Sequence, residues 1–161
     1  MGKIKKFTAA NIRKIVGGRD PIRAIEEFIL LLGHDPDESK KEASAESIRW
    51  MITLGERQEL EILLEGLKKS SDTTVYLGVN VAAVPLRSAH DVLVAALEIA
   101  DGLVGVKVSL VGHFLVLSST LPASGIATDE LEYHYHLISA QIDWFRQVLA
   151  AELGWPQLPD A

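Results

Sequence analysis

The sequence predicts an α+β fold in which helices pack against a small antiparallel sheet. Residues 75–81 alternate between apolar and other side chains, as a half-buried strand does. A capped helical pattern follows over 88–101, and two apolar runs then meet at Gly112 before a long helical segment that begins at Thr128. This succession predicts the order α-βββ-α-ββ-α, with a short extra N-terminal helix.

The first helices are predicted from their start and stop signals. A short helix is expected to end at the pair Gly17-Gly18, because glycine terminates helices. The next helix is expected to begin with Asp20 as its N-cap and Pro21 at its first position. The polar residues 34–47 that follow this helix predict a loop that can include a frayed helical turn.

Residues 58–67 fit two structures. Read as a helix, the leucines of this segment recur at i, i+3, i+4 and i+7. Read as a strand, Leu60, Ile62 and Leu64 alternate with glutamates. The loop-forming residues 68–72 have the length of a hairpin connection and favour the strand. We therefore predict a three-stranded meander with this segment in the middle.

The central helix and the second strand after it carry more apolar surface than one small domain needs. The helix over 88–101 is apolar on more than one side and has no lysine or arginine. In the second strand, Phe114 and Val116 lie on one face, and Leu115 and Leu117 lie on the other. Elements that are apolar on both sides have to be covered on both sides, which suggests a partner.

The last helix is expected to begin at Thr128 as its N-cap. It carries two apolar stripes. One runs from Leu131 to Leu153, and the other includes Tyr133 and Trp144. A helix with two such stripes packs on more than one neighbour.

Charge is distributed unevenly along the chain. Residues 1–19 carry six basic side chains and no acid, whereas the rest has ten basic and twenty-two acidic side chains, a net charge of −12. An acidic body is a poor surface for nucleic acid, because phosphate contacts dominate that affinity. We therefore do not expect nucleic acid as a partner. The alternative is a nucleic-acid-linked regulator that uses residues 1–14, which salt-dependent binding would reveal.

Composition excludes several classes of site. The chain has no cysteine, which rules out disulfides, thiolate metal sites and thiol nucleophiles. No apolar run reaches the roughly 18 residues that a membrane-spanning helix needs. The basic start is not followed by the apolar segment of a secretory signal. We expect a cytoplasmic protein without a membrane partner.

The order of elements resembles the fold of class I type III secretion chaperones and of the YbjN-like family of bacterial proteins. The similarity of residues is to the YbjN-like side and covers 74–153 best: TVYLGVNVAAVP into the Ser88 helix, then GVKVSLVGHFLVLSSTLP and a capped helix. The resemblance implies a small, acidic, dimeric protein without enzymatic activity. Such chaperones hold unfolded segments of secreted partners against their sheet, and YbjN-like proteins are described as candidate regulators of sensory transduction.

The charge distribution, the succession of elements and the resemblance together predict a simple domain organisation. Residues 1–19 are expected to form a basic N-terminal arm with a short helix. Residues 20–155 are expected to form a single secretion-chaperone-like domain, and residues 156–161 a loose tail. No internal repeat or low-complexity tract suggests a further domain.

No catalytic, cofactor-binding or metal-binding residue is predicted, and no cofactor. The conspicuous segment 133–136 holds His134 and His136, but side chains two positions apart on a helix point roughly 200° apart and cannot share one metal. Pairing each histidine with Glu130 or Glu132 gives two ligands, whereas a site needs three or four. Weakly paired surface histidines are the expected outcome.

We expect a non-enzymatic protein-interaction module, chaperone-like or regulatory, that acts as a homodimer and binds a partner polypeptide. The alternative is a small-ligand-binding or catalytic domain with a pocket between sheet and helices, in which His113, His134 and His136 would have to approach one another. The surface expected to contact the second copy or the partner comprises Val92, Ala96, Ile99, Phe114 and Val116.

Overall fold

A computed structural model describes residues 20–54, 58–68 and 72–159 of the chain. Its helices are α1 (Pro21–Leu31), α2 (Pro36–Ser39), α3 (Ala89–Ile99) and α4 (Thr128–Glu152). Its strands are β1 (Lys40–Ala43), β2 (Ser47–Leu54), β3 (Gln58–Glu65), β4 (Thr74–Ala83), β5 (Lys107–Val111) and β6 (Phe114–Pro122). The strands form one six-stranded antiparallel sheet of order β1–β2–β3–β4–β6–β5, which confirms the predicted α+β fold.

The predicted order of elements is found with two additions. The segment 34–47, which the sequence predicts as a loop with a frayed helical turn, contains that turn as α2, and it also contains the strand β1. Residues 58–65 form a strand, β3, as predicted. The short helix predicted before Gly17 lies outside the described residues.

Helix α1 begins as its sequence predicts. The Asp20 side chain accepts a hydrogen bond from the backbone N–H of Ile22 at 3.1 Å, and Pro21 takes the first helical position. The cap satisfies a backbone donor that the helix itself cannot satisfy. The helix then buries Ile25 and Phe28 completely.

The described residues divide into two compact units. The first draws on 20–51, 62–76 and 120–132, and it contains α1, α2, β1 and the first turn of α4. Its largest buried side chains are Trp50 and Phe28. The hydroxyl of Thr128 donates to the carbonyl of Ala24 at 3.4 Å and to Glu27 Oε2 at 3.1 Å, and this links the start of α4 to α1.

The second unit draws on 52–61, 77–119 and the described part of 133–161, so it contains α3, β5 and most of α4. Its buried apolar side chains include members of β4, α3, β6 and α4. Its buried members on β6 are Leu115, Val116 and Leu117, and its largest on α4 is Phe145. This unit contains all five residues of the predicted interaction surface.

The segment after α4 packs against the second unit. The Leu158 side chain is only 3% exposed, and its carbonyl accepts a hydrogen bond from Arg146 Nη2 at 3.4 Å. Arg146 Nη1 also donates to the carbonyl of Val81. Leu158 lies within 156–159, the described part of the predicted tail, and its buried apolar side chain favours this packing.

Candidate interaction surface

Among the strands of the described residues, β5 lies at one end of the sheet and has β6 as its one neighbour. It pairs with β6 in a regular antiparallel register, from Lys107 opposite Ser118 to Val111 opposite Phe114. The other side of an edge strand presents backbone N–H and C=O groups that another strand can pair with. The edge of β5 is therefore a candidate site for strand addition.

The opposite edge of the sheet is protected against such pairing. Strand β1 carries Lys40, Lys41 and Glu42 within four residues, and its register with β2 shifts between Lys40 and Glu42. Charges and irregularities are common ways to protect an edge strand. Strand β5 has a single charge, at Lys107, and no shift in register. The two edges thus differ in their capacity to accept a further strand.

Exposed apolar side chains flank the β5 edge on both faces of the sheet. Leu110 is opposite Leu115 on one face, and Val111 is opposite Phe114 on the other. Leu110 and Val111 are exposed, and Phe114 is half-buried with its ring 4.4 Å from that of His113. An added strand would find apolar contacts on either face.

Helix α3 presents a second exposed surface in the same unit. Val94 and Leu97 are exposed, three residues apart and hence on one side of the helix. Asp91 and Glu98 are exposed beside them, and Asp101 is exposed in the turn that follows α3. This surface combines apolar side chains with acids.

The structure separates the five predicted surface residues into two groups. Val92, Ala96 and Val116 are buried within the chain itself, at no more than 3% exposure, and so do not reach the surface. Ile99 and Phe114 are half-buried and can contribute to an interface. The sequence pattern identified apolar side chains correctly, but three of them are used for the protein's own core. That this region contacts another chain stays a prediction.

Sequence reasoning did not single out Leu110, Val111, Leu97 or Val104, all of which are exposed. The edge position of β5 depends on which strands pair, and no local pattern contains that information. The sequence does contain one indication of an unprotected edge strand. The four residues from Val108 to Val111 carry no charge, although edge strands usually carry one.

The histidines do not form a common site. His134 Nδ1 lies 2.8 Å from the hydroxyl of Ser119, and this hydrogen bond joins α4 to β6. His113 lies in the turn between β5 and β6, beside Phe114. Within the described ranges, no group of three or more His, Asp or Glu side chains is arranged to hold a metal ion.

A surface pocket of about 440 Å³ lies between α4 and the segment that follows it. Its polar lining includes Asp143, Arg146 and Gln147, and Trp155 contributes an aromatic wall. Arg146 uses two of its donors to hold backbone carbonyls, so its guanidinium supports the wall of the pocket. The pocket is not between sheet and helices, where the alternative function would need it.

The described part of the chain has no helix that is both long and apolar enough to cross a membrane. No protein-family model matches the chain, and no curated protein matches it.

Solved structures resemble it at low sequence identity. YbjN from E. coli has a TM-score of 0.55 at 16% identity, with 86% of this chain and 96% of that chain covered. A chain of the ExsC-ExsE complex has a TM-score of 0.54 at 11% identity, with 80% of this chain and 92% of that chain covered. The third structure is the heterodimeric ExoU-SpcU complex from the type III secretion system of Pseudomonas aeruginosa. One of its chains has a TM-score of 0.51 at 17% identity, with 79% of this chain and 98% of that chain covered. The protein therefore has the YbjN-like, secretion chaperone-like fold.

Proposed function

We propose that this protein is a non-enzymatic protein-interaction module, which forms a homodimer through the β5 edge and binds a partner polypeptide. The observation that carries the proposal is the unprotected edge of β5, flanked by exposed Leu110 and Val111. The fold supports the binding of a partner polypeptide, since two of the three structures named above are complexes of two different proteins. Exposed apolar side chains beside free backbone groups are costly for a protein that stays alone.

The sequence of β5 is complementary to itself. Two copies related by a two-fold axis pair the same strand antiparallel. If the axis passes Ser109, then Val108 faces Leu110 of the second copy, and Lys107 faces Val111 of the second copy. No like charges are opposed in this register. A second copy is therefore a suitable occupant of the edge.

A charge placed within the edge tests the dimer. Leu110→Asp would put a carboxylate opposite an apolar side chain, so we expect the dissociation constant of the dimer to rise by about tenfold or more. Sedimentation over a range of concentrations measures this. Lys107→Asp is the matched control on the same strand. It should change the dissociation constant much less, because it replaces one exposed charge with another and removes no apolar contact. Thermal unfolding of each variant checks that the fold is intact.

The same experiment tests the register. Val111→Lys would oppose Lys107 of the second copy and weaken the dimer, whereas Val111→Asp would face the same lysine and keep it. A clean monomer of the wild-type protein at micromolar concentration would contradict the homodimer. Equal effects of Leu110→Asp and Lys107→Asp would contradict the edge as its interface.

The location of the protein is a separate proposal. The cytoplasm fits a protein that binds unfolded segments before their export, and fractionation of the native cell would test it.

A further inference from the structure

The exposed surface of α3 has one sign of charge. Asp91, Glu98 and Asp101 are all exposed, and the chain has no lysine or arginine from residue 88 to residue 106. His90 is the one other titratable side chain of α3, and its Nδ1 lies 3.3 Å from Asp91. Between the acids, Leu97 is 66% exposed. The surface thus offers apolar contact with carboxylates at its rim.

This surface continues onto α4. Gly102 lies against the indole of Trp144, so closely that a methyl group at Gly102 would be 2.6 Å from a ring carbon. Val104 is fixed to α4 by two hydrogen bonds with the Gln141 side chain, one donated by its N–H at 2.8 Å and one accepted by its carbonyl at 3.1 Å. Its side chain remains 69% exposed. Leu97, Val104 and Trp144, with the acids Asp91, Glu98 and Asp101, make up what we term the acidic patch.

A second copy of the chain does not suit the acidic patch. A two-fold interface brings the same patch of both copies together, so three carboxylates of one copy would approach three of the other. Like charges brought together across an interface cost several kcal/mol. A cationic partner would instead gain from the same carboxylates. The occupant argued from charge is therefore a different, basic polypeptide.

We propose that the acidic patch binds a basic, amphipathic segment of the partner polypeptide, a proposal that rests on the proposed function and gives the partner its chemistry. The patch spans the eleven residues from Asp91 to Asp101, about 15 Å along α3 and the turn that follows it. A matching segment places lysine or arginine at the two ends of this length and apolar side chains between them. Its apolar groups cover Leu97, Val104 and Trp144.

Titration of the full-length protein with a labelled synthetic peptide tests the proposal. The probe is a 14-residue peptide of leucine and lysine at helical spacing. Two control peptides replace its lysines with glutamate or its leucines with serine. We expect binding of the probe alone, weaker at high salt because exposed charges are screened. The variant Glu98→Gln/Asp101→Asn should lose about fivefold in affinity, as expected for two exposed ion pairs.

Glu59→Gln/Glu65→Gln is the matched control, since it changes the net charge equally on exposed residues of β3. It should leave the affinity unchanged. Leu97→Ser should weaken binding without a change in net charge. Equal losses in both double variants would show unspecific attraction and overturn the proposal, as would equal binding of the serine peptide.

The outcome is separable from that of the dimer. Leu110→Asp should dissociate the dimer and still bind the peptide. A dimer without peptide binding would overturn the acidic patch alone. If substitutions in the acidic patch change the mass of the assembly in solution, a second copy of the chain occupies the patch, and the proposal is overturned.

Discussion

Asp20 and Thr128 show which hydrogen bonds of a single residue can be predicted from the sequence and which cannot. Asp20 acts on an N–H two residues away, so the predicted cap depends on local sequence and is confirmed. Thr128 is instead the first residue of α4, and its hydroxyl bonds to Ala24 and Glu27 on α1. These partners are more than a hundred residues distant, and no local window contains them. Ser88 likewise makes no side-chain cap on α3.

The carboxylate of Glu27 accepts hydrogen bonds from Arg23 on α1 and from Thr128 at the start of α4. Arg23 Nε donates to Glu27 Oε1 at 2.8 Å, and the Thr128 hydroxyl donates to Oε2. Both hydrogen bonds favour the carboxylate, the one from Arg23 more, and they lower the pKa of Glu27 below the ordinary 4.5. A lowered pKa means that the folded state binds this proton less readily than the unfolded state does.

We therefore predict a pH-dependent effect of Glu27→Gln. The stabilisation by Glu27 is present above its unfolded pKa and is lost as the pH falls through its folded pKa. The variant should be less stable than the wild type near neutral pH, and the difference should shrink below about pH 4. Urea unfolding at several pH values measures it. In an Arg23→Met background the difference should be smaller at every pH. A difference that stays constant down to pH 3 would contradict this role.

At the scale of elements, the burial of apolar side chains determines the structure of a segment whose local propensity fits both helix and strand. Strand β3 has a sequence that fits a helix equally well, yet Leu60, Ile62 and Leu64 are all fully buried on one face of the sheet. Tertiary packing overrides local propensity in such segments. Strand β1 was missed for the opposite reason. Three of its four residues KKEA are exposed, the segment has no apolar alternation, and the strand exists through its pairing with β2.

In the segment after α4, Leu158 has a buried side chain. Leu158→Ala should destabilise the protein by about 2–3 kcal/mol, because it empties a buried site. Leu86→Ala is the matched control, since Leu86 is 90% exposed, and its effect should stay within about 0.5 kcal/mol. Denaturant unfolding compares the two. Similar small effects of both substitutions would show that the segment is not anchored by Leu158.

At the scale of the whole molecule, the sequence predicted the fold class, the order of most elements and a surplus of apolar surface. It could not assign that surplus to positions. Val92, Ala96 and Val116 are used in the core, whereas Leu110 and Val111 are exposed because β5 ends the sheet. Strand order arises from long-range pairing, and an interaction surface defined by an edge follows from that order. The division into arm, single domain and tail stays a prediction.

The central claim is that a second copy covers the β5 edge, and hydrogen exchange at different protein concentrations tests it most directly. Backbone amides of an edge strand that point outward exchange with water unless another strand pairs with them. We predict that protection of residues 107–111 rises with concentration, whereas protection of β6, which is already paired on both sides, does not change. Protection of residues 107–111 that is independent of concentration, in a protein that sediments as a dimer, would contradict the account.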